Sequence, residues 1–290
     1  MLSMNPLEVA ITGARGYAGG HIASAVEQRG HRVIELVRQP VGDSNRPQIS
    51  FDLARGIEPD ALKASHVDAL IHVAWDFQQT RPEDIRRANR DGAVRLFDAF
   101  MAAGGKTGVF ISTIAAFDGC HSEYGRVKLE VERAAIERGF WVVRPGLIQG
   151  GTPGGIVGTL SKLVRKLPVV PILGYGKRIL NPISADVLSS CVARLVEEHP
   201  SSAEEALVLV AEHRRLSLDA IVRDVAKESG LGPRLLIPVP WQPVWLMLRT
   251  MESLGLSIGL RSDSVISLMN QDPHPPIRPR PWFTPEPAEG

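Results

Sequence analysis

Three glycines spaced three residues apart set the first constraint on this chain. The segment Val9-Ala-Ile-Thr-Gly13-Ala-Arg-Gly16-Tyr-Ala-Gly19-Gly20 runs from an apolar β-type stretch, through the glycines, into a helical pattern. Each glycine has its own physical task. Gly13 permits a tight turn, Gly16 lets the backbone come close to a bulky anion, and Gly19 allows the helix to pack against the strand before it. The first turn of the helix presents N–H groups without intrahelical acceptors, together with the positive end of the helix dipole. A strand–turn–helix of this kind receives a pyrophosphate. The triplet alone is weak evidence, and it gains weight when it stands in the first βα unit of an alternating chain.

That alternation is present. Leu7–Thr12, Arg32–Val37, Ile49–Phe51, Ala69–Val73, Val109–Ser112 and Trp141–Val143 are apolar runs of the type buried on both faces of a parallel sheet. Helical patterns over Ala18–Arg29, Arg81–Ala103 and Glu123–Arg138 separate them. The pattern predicts an α/β fold, a doubly wound parallel sheet of the Rossmann type with right-handed crossovers. After Pro145 the pattern loosens. A helix is expected over Ile156–Lys166, strands over Ala206–Val210 and Leu235–Pro238, and a helix over Leu218–Glu228. The chain thus divides into a nucleotide-binding domain over 5–150 and a smaller substrate-side region over 151–272, partly interleaved with the core. A proline-rich tail over 273–290 follows, in which Trp282 and Phe283 are candidates for docking. The stretch Trp241–Leu260 is apolar but carries Arg249 and Glu252, so it reads as an amphipathic helix and not a membrane span. Its stripe of Trp245, Leu248 and Met251 fits core packing, with a homodimer face or a lid as alternatives.

Charge narrows the partners. With 33 Lys and Arg against 32 Asp and Glu, no long-range field draws nucleic acid or an anionic membrane, and a small-molecule substrate is the expected partner. Met1–Leu7 is too short and polar for a secretion signal. Cys120 and Cys191 are far apart and outside any metal-ligand spacing, which fits a reducing cytoplasm and predicts neither disulfide nor metal.

Cofactor choice depends on the end of the second strand, where an acid suits a ribose 2′-hydroxyl and an arginine a 2′-phosphate. Here the strand ends Glu35-Leu-Val-Arg38. Arg38 occupies the deciding place and Arg15 lies in the glycine turn, so two guanidiniums favour NADP, with NAD as the alternative. Glu35 sits too early in the strand to reach the ribose.

Tyr124 and Lys128, four residues apart at the start of a helical pattern, share one helix face. A phenol with an ordinary pKa near ~10 is a poor proton-transfer group at neutral pH, and a neighbouring ammonium favours its ionised form. Ser112 and Thr113 end the preceding strand, at the sheet edge where open α/β folds bind ligands. The glycine turn, Asp52-Leu53, His72-Val-Ala-Trp75, Asn89, Ser112-Thr113 and Tyr124-x-x-x-Lys128 follow the order of the extended short-chain dehydrogenases/reductases. Over about Leu7–Val187 the chain resembles their NAD-dependent epimerase/dehydratase family.

The resemblance implies roles. Tyr124 is the acid/base, Lys128 lowers its pKa and holds the nicotinamide ribose, and Thr113, with Ser112 beside it, positions the substrate oxygen. Gly13, Arg15, Gly16, Tyr17 and Gly19 form the phosphate turn, Arg38 reads the ribose, and Asp52 and Leu53 contact the adenine. Ala74 lines the inner ribose, and Pro145 in Arg144-Pro145-Gly146 lies near the nicotinamide. Asn89 matches the family's helix asparagine, with a solvent-facing turn residue as the equal alternative. The interval between Thr113 and Tyr124 is short, and Gly146 replaces an expected asparagine. Leu180 stands where the sugar-nucleotide enzymes carry an arginine, with Lys177 and Arg178 nearby. These departures weaken the case for a nucleotide-sugar substrate. The expected function is an NAD(P)-dependent oxidoreductase or epimerase/dehydratase, and the competing expectation is a non-catalytic dinucleotide sensor or assembly subunit.

Overall fold

The computed structural model describes residues 5–150, 155–174, 176, 178–210, 216–256, 260–272 and 275. Lys177 and almost all of the proline-rich tail, including Trp282 and Phe283, lie outside them. The first part of the chain forms β1 (Glu8–Thr12), α1 (Tyr17–Gln28), β2 (Arg32–Val37), β3 (Gln48–Ser50), α2 (Pro59–Ala64) and β4 (Ala69–His72). Helix α3 (Pro82–Ile85) then passes through a π-helical segment, Arg86–Asp91, into α4 (Gly92–Ala102). β5 (Thr107–Ile111), α5 (Glu123–Glu137), β6 (Trp141–Pro145) and β7 (Leu147–Gln149) follow. Beyond them lie α6 (Gly155–Lys166), β8 (Val169–Leu173), β9 (Ile179–Leu180), β10 (Pro182–Ser184), α7 (Ala185–Leu195), α8 (Ala203–Ala206) and β11 (Leu207–Val210). The chain continues with β12 (Leu216–Ser217), α9 (Leu218–Glu228), β13 (Leu235–Val239), α10 (Trp241–Ser253) and α11 (Ser262–Met269).

Seven strands make one parallel sheet in the order β11-β6-β5-β4-β1-β2-β3. The chain moves outward from β1 to β3, then returns to β4 on the other side of β1. This reversal opens a crevice at the carboxyl ends of β1 and β4, where Thr12 pairs in register with His72. Neighbouring residues of β1 feed opposite faces of the sheet. Val9 and Ile11 join the core under α1 and α7, while Ala10 joins the one under α4 and α5.

The strand expected at Ala206–Val210 lies in this same sheet, beside β6. Its residues Leu207, Val208, Leu209 and Val210 are all apolar, so they suit a position covered on both faces. A third core gathers α6, β8, α9, α10 and α11. Within α10, Leu248 is buried and Trp245 packs on this cluster, so much of the apolar stripe is core. Among the described residues, no helix is long and apolar enough to cross a membrane.

Candidate active site and nucleotide cradle

The glycine turn has the predicted geometry. Gly13 has φ +69°, and a Cβ there would lie 3.0 Å from the Ala74 nitrogen. Gly19 is tighter, since its Cβ would stand 2.1 Å from the Gly13 carbonyl oxygen. Only glycine lets α1 approach the strand–turn this closely. Gly16 is the N-cap, without a side-chain cap bond, and the first turn of α1 holds no acidic residue. Its N–H groups are therefore presented to an anion, and the cradle fits a dinucleotide pyrophosphate.

Thr12 ties this turn to β4. Its hydroxyl accepts from the backbone N–H groups of Val73 and Ala74, each at 3.0 Å, and lies 2.8 Å from Nδ1 of His72. With both N–H bonds entering the hydroxyl oxygen, its proton goes to Nδ1. His72 is fully enclosed between Phe97 and Phe110, and burial, with Lys128 adding to it, pushes its pKa down to about 3. A neutral ring is what the Thr12 bond requires.

At the end of β2 the two arginines part company. Arg15 Nε pairs with the Glu35 carboxylate at 3.2 Å, and Glu35 is buried between it, Arg46 and Gln48. Of the expected pair of guanidiniums, Arg38 is exposed, and Arg15 shares the Glu35 carboxylate with Arg46. The reason is local. Glu35 is buried, and a buried carboxylate requires partners, which Arg15, Arg46 and Gln48 supply.

Asp52 caps its own turn by accepting from the N–H groups of Ala54 and Arg55, and the Leu53 carbonyl accepts from Arg95. Tyr17 donates to the Gly150 carbonyl across the crevice. Pro145 ends β6, and its carbonyl accepts from Ile114 N–H. Asn89 is buried, which removes the solvent-facing alternative. Its amide accepts from Asp76 N–H at 2.6 Å and donates to the carbonyls of Asp76 and Ile85, clamping the segment after β4.

Helix α5 begins at the Ser122 N-cap, whose hydroxyl accepts from Gly125 N–H at 3.1 Å. Asp263 of α11, far away in sequence, adds a second cap. Its carboxylate oxygens accept from the N–H groups of Glu123 and Tyr124 at 2.8 and 2.9 Å. Tyr124 stands against Trp75, edge-on at 5.2 Å, and stacks on Phe77 at 5.9 Å. Burial and the Asp263 charge raise the phenol to about 12, although a hydrogen bond with Thr113 pulls the other way. The sequence predicts a phenol lowered by Lys128; here desolvation prevails and the hydroxyl stays protonated at neutral pH.

Lys128 Nζ lies 5.9 Å from the centre of the Tyr124 ring. Its Nζ donates to the Ile111 carbonyl at 2.7 Å and sits over the rings of Trp75 and Phe110 at 4.4 and 4.6 Å. Burial drives its pKa down to about 7, with Glu132 opposing. Ser112 is engaged elsewhere. Its hydroxyl donates to Glu132, whose carboxylate also takes the buried Arg144 guanidinium, at 2.8 Å through Nε. Structure therefore brings Thr113 and Tyr124 together and places Ser112 in the packing behind them. Trp75, Phe77, Glu132 and Asp263 were not singled out from sequence for these roles. Trp75 ends the His72-Val-Ala-Trp75 motif, while Asp263 carries no local signal.

A model of the NAD-dependent epimerase/dehydratase family matches residues 9–135. A ceramide reductase of Caulobacter vibrioides is 30% identical over 255 residues, covering 80% of this chain and 74% of that protein. The chain belongs to this family, that of the extended short-chain dehydrogenases/reductases. Among solved structures, it resembles MoeE5 in complex with UDP-glucose and NAD at 18% identity, with a TM-score of 0.66 over 90% of this chain and 96% of that one. UDP-glucose 4-epimerase of Thermotoga maritima, bound to UDP-glucose, is 17% identical with a TM-score of 0.67 over 90% and 97%. UDP-N-acetylglucosamine 4-epimerase of Bacillus cereus is 16% identical, at 0.66 over 90% and 94%. At these identities the structural likeness concerns the fold. NAD dependence comes with the family.

Proposed function

We propose that this protein is an NADP-preferring carbonyl reductase in which Tyr124 is the proton donor. The observation that carries the reading is the placement of the Tyr124 hydroxyl. It is hydrogen-bonded to Thr113 and enclosed by Trp75 and Phe77 at the carboxyl edge of the sheet. Reduction of a carbonyl needs a proton delivered to the oxygen, and a phenol held at that position can supply it. The nicotinamide supplies the hydride when bound. Thr113 orients the substrate oxygen toward Tyr124, and Tyr124 gives up the proton at Oη. Lys128, fixed by the Ile111 carbonyl, places a cation beside the phenolate that remains.

Gly13, Gly16 and Gly19 with the first turn of α1 would hold the pyrophosphate, and Ala74 and Pro145 would line the inner end. Asp52 and Leu53 would meet the adenine. Arg38, exposed at the end of β2, supports the choice of NADP, since its guanidinium suits a 2′-phosphate. The ceramide reductase relative supports reduction over epimerisation and suggests a lipid carbonyl as substrate. Cys120 and Cys191 are both buried, which is in keeping with a cytoplasmic protein.

Two measurements on the purified protein test this. Titration with NADPH and NADH should show preference for NADPH, lost in Arg38→Ala; equal or tighter NADH binding refutes the NADP assignment. With an accepted carbonyl substrate, Tyr124→Phe should lose about 10²–10⁴-fold in turnover, the usual worth of a positioned acid. Unchanged turnover removes Tyr124 from the chemistry.

A further inference from the structure

The third core encloses a cavity of about 190 Å³, away from the nucleotide cradle. Ile172 of β8, Leu218 of α9, Val244 of α10, and Leu260, Val265 and Leu268 around α11 contribute to its wall. Among the described residues, Ser264 is the one lining residue with a polar side chain. A sugar or a nucleotide would leave its hydroxyls or phosphates unpaired in such a space. An apolar cavity of roughly 150 Å³ stays dry and takes a hydrocarbon such as benzene, so this one holds a chain segment of at least that size. Val239, Val244 and Leu260 are only half-buried, so the cavity borders the surface.

What links the cavity to the chemistry is the segment from Leu260 to Leu268, whose residues divide between two neighbours. Leu260, Ser264, Val265 and Leu268 face the cavity. Arg261 turns the other way and donates to the carbonyls of Phe77 and Gln79, at 3.1 and 2.6 Å, and Phe77 stacks on Tyr124. Asp263 caps the helix that carries Tyr124. The wall of the apolar cavity and the support of the proton donor are thus one short piece of chain.

We propose that this cavity is a subsite for an aliphatic chain of the substrate, whose carbonyl is reduced at Tyr124. The substrate class is a carbonyl compound bearing a long unbranched hydrocarbon tail. This rests on the reductase reading and adds to it the place where the tail lies. Burying methylenes in the cavity supplies binding energy remote from the reacting carbon, which can serve to orient that carbon.

The test uses the full-length protein and cis-parinaric acid, a fatty acid whose fluorescence rises in apolar surroundings. The wild type should bind it saturably at one site. Ser264→Phe and Val244→Trp, which fill the cavity from two different helices, should each weaken that binding at least ~10-fold, the loss of a few buried methylenes. NADPH affinity, measured on the same samples, should be retained. A competition arm needs no variant: 2-decanone should displace the probe at concentrations where 2-butanone does not. Absence of saturable binding, wild-type binding in both variants, or equal displacement by the two ketones overturns the subsite. Failure to bind either nicotinamide nucleotide, with the probe results as expected, would instead refute the reductase reading and leave the apolar subsite standing.

Discussion

Replacing Lys128 with methionine removes a charge from one of the most enclosed positions in the protein while keeping most of the side-chain volume. The Lys128 side chain is buried, and its pKa is pushed from an ordinary 10.5 to about 7. Between those two values the unfolded chain still holds the proton and the folded chain has released it. Stability of the wild type therefore rises with pH across this window, by about 1.4 kcal/mol for each pH unit. From pH 7 to pH 9 the gain due to this one group is about 2 kcal/mol, less than two full slopes because the folded lysine is half protonated at pH 7, and still a large part of the ordinary stability of a domain. The other strongly shifted groups lie outside the window. His72, moved down to about 3, adds its pH dependence on the acid side, and Tyr124, at about 12, on the alkaline side. Urea unfolding of both proteins at pH 7, 8 and 9 isolates the term. The difference between wild type and Lys128→Met should change by about 2–3 kcal/mol over that range. A difference that stays constant with pH would refute the claim that burial governs Lys128.

Gly19→Ala should cost at least ~2 kcal/mol, because its Cβ meets the Gly13 carbonyl oxygen, and it should weaken nucleotide binding in the same titrations. Among the described residues, Arg144→Met leaves the buried Glu132 carboxylate with the Ser112 hydroxyl as its remaining hydrogen-bond partner. A loss of about 3–5 kcal/mol is expected in urea unfolding, and adding Glu132→Gln should recover part of it. Asp263→Asn removes a negative charge that raises the Tyr124 phenol. The phenol should then titrate lower than in the wild type when followed by ultraviolet absorbance, and an unchanged titration would dissociate Asp263 from Tyr124.

Much of the site was legible because its parts are local in sequence. The turn from Gly13 to Gly19 spans a strand end and a helix start, and both its conformation and its packing follow from the absence of Cβ atoms. Tyr124 and Lys128 lie on one helix, and Thr113 ends the region just before it, so spacing alone brings them near each other. Ser112 illustrates the limit. Adjacent to Thr113, it points its hydroxyl to Glu132 instead, because successive residues at a strand end face opposite ways. Arg15 shows the same limit, since nothing in the spacing reveals that Glu35 reaches it across β1 and β2.

Alternating apolar runs and glycine punctuation determined the doubly wound sheet, the nucleotide cradle and the helix carrying Tyr124, since each depends on periodicity and steric freedom within a few residues. Tertiary structure alone decided the electrostatics. Which of Lys128 and Asp263 governs the Tyr124 phenol depends on burial and on a carboxylate 139 residues away. It likewise decided that β11 joins the main sheet and that the third core encloses an apolar cavity beside α11. Desolvation and long-range packing are properties of the whole surround of a side chain, and no stretch of sequence contains that surround.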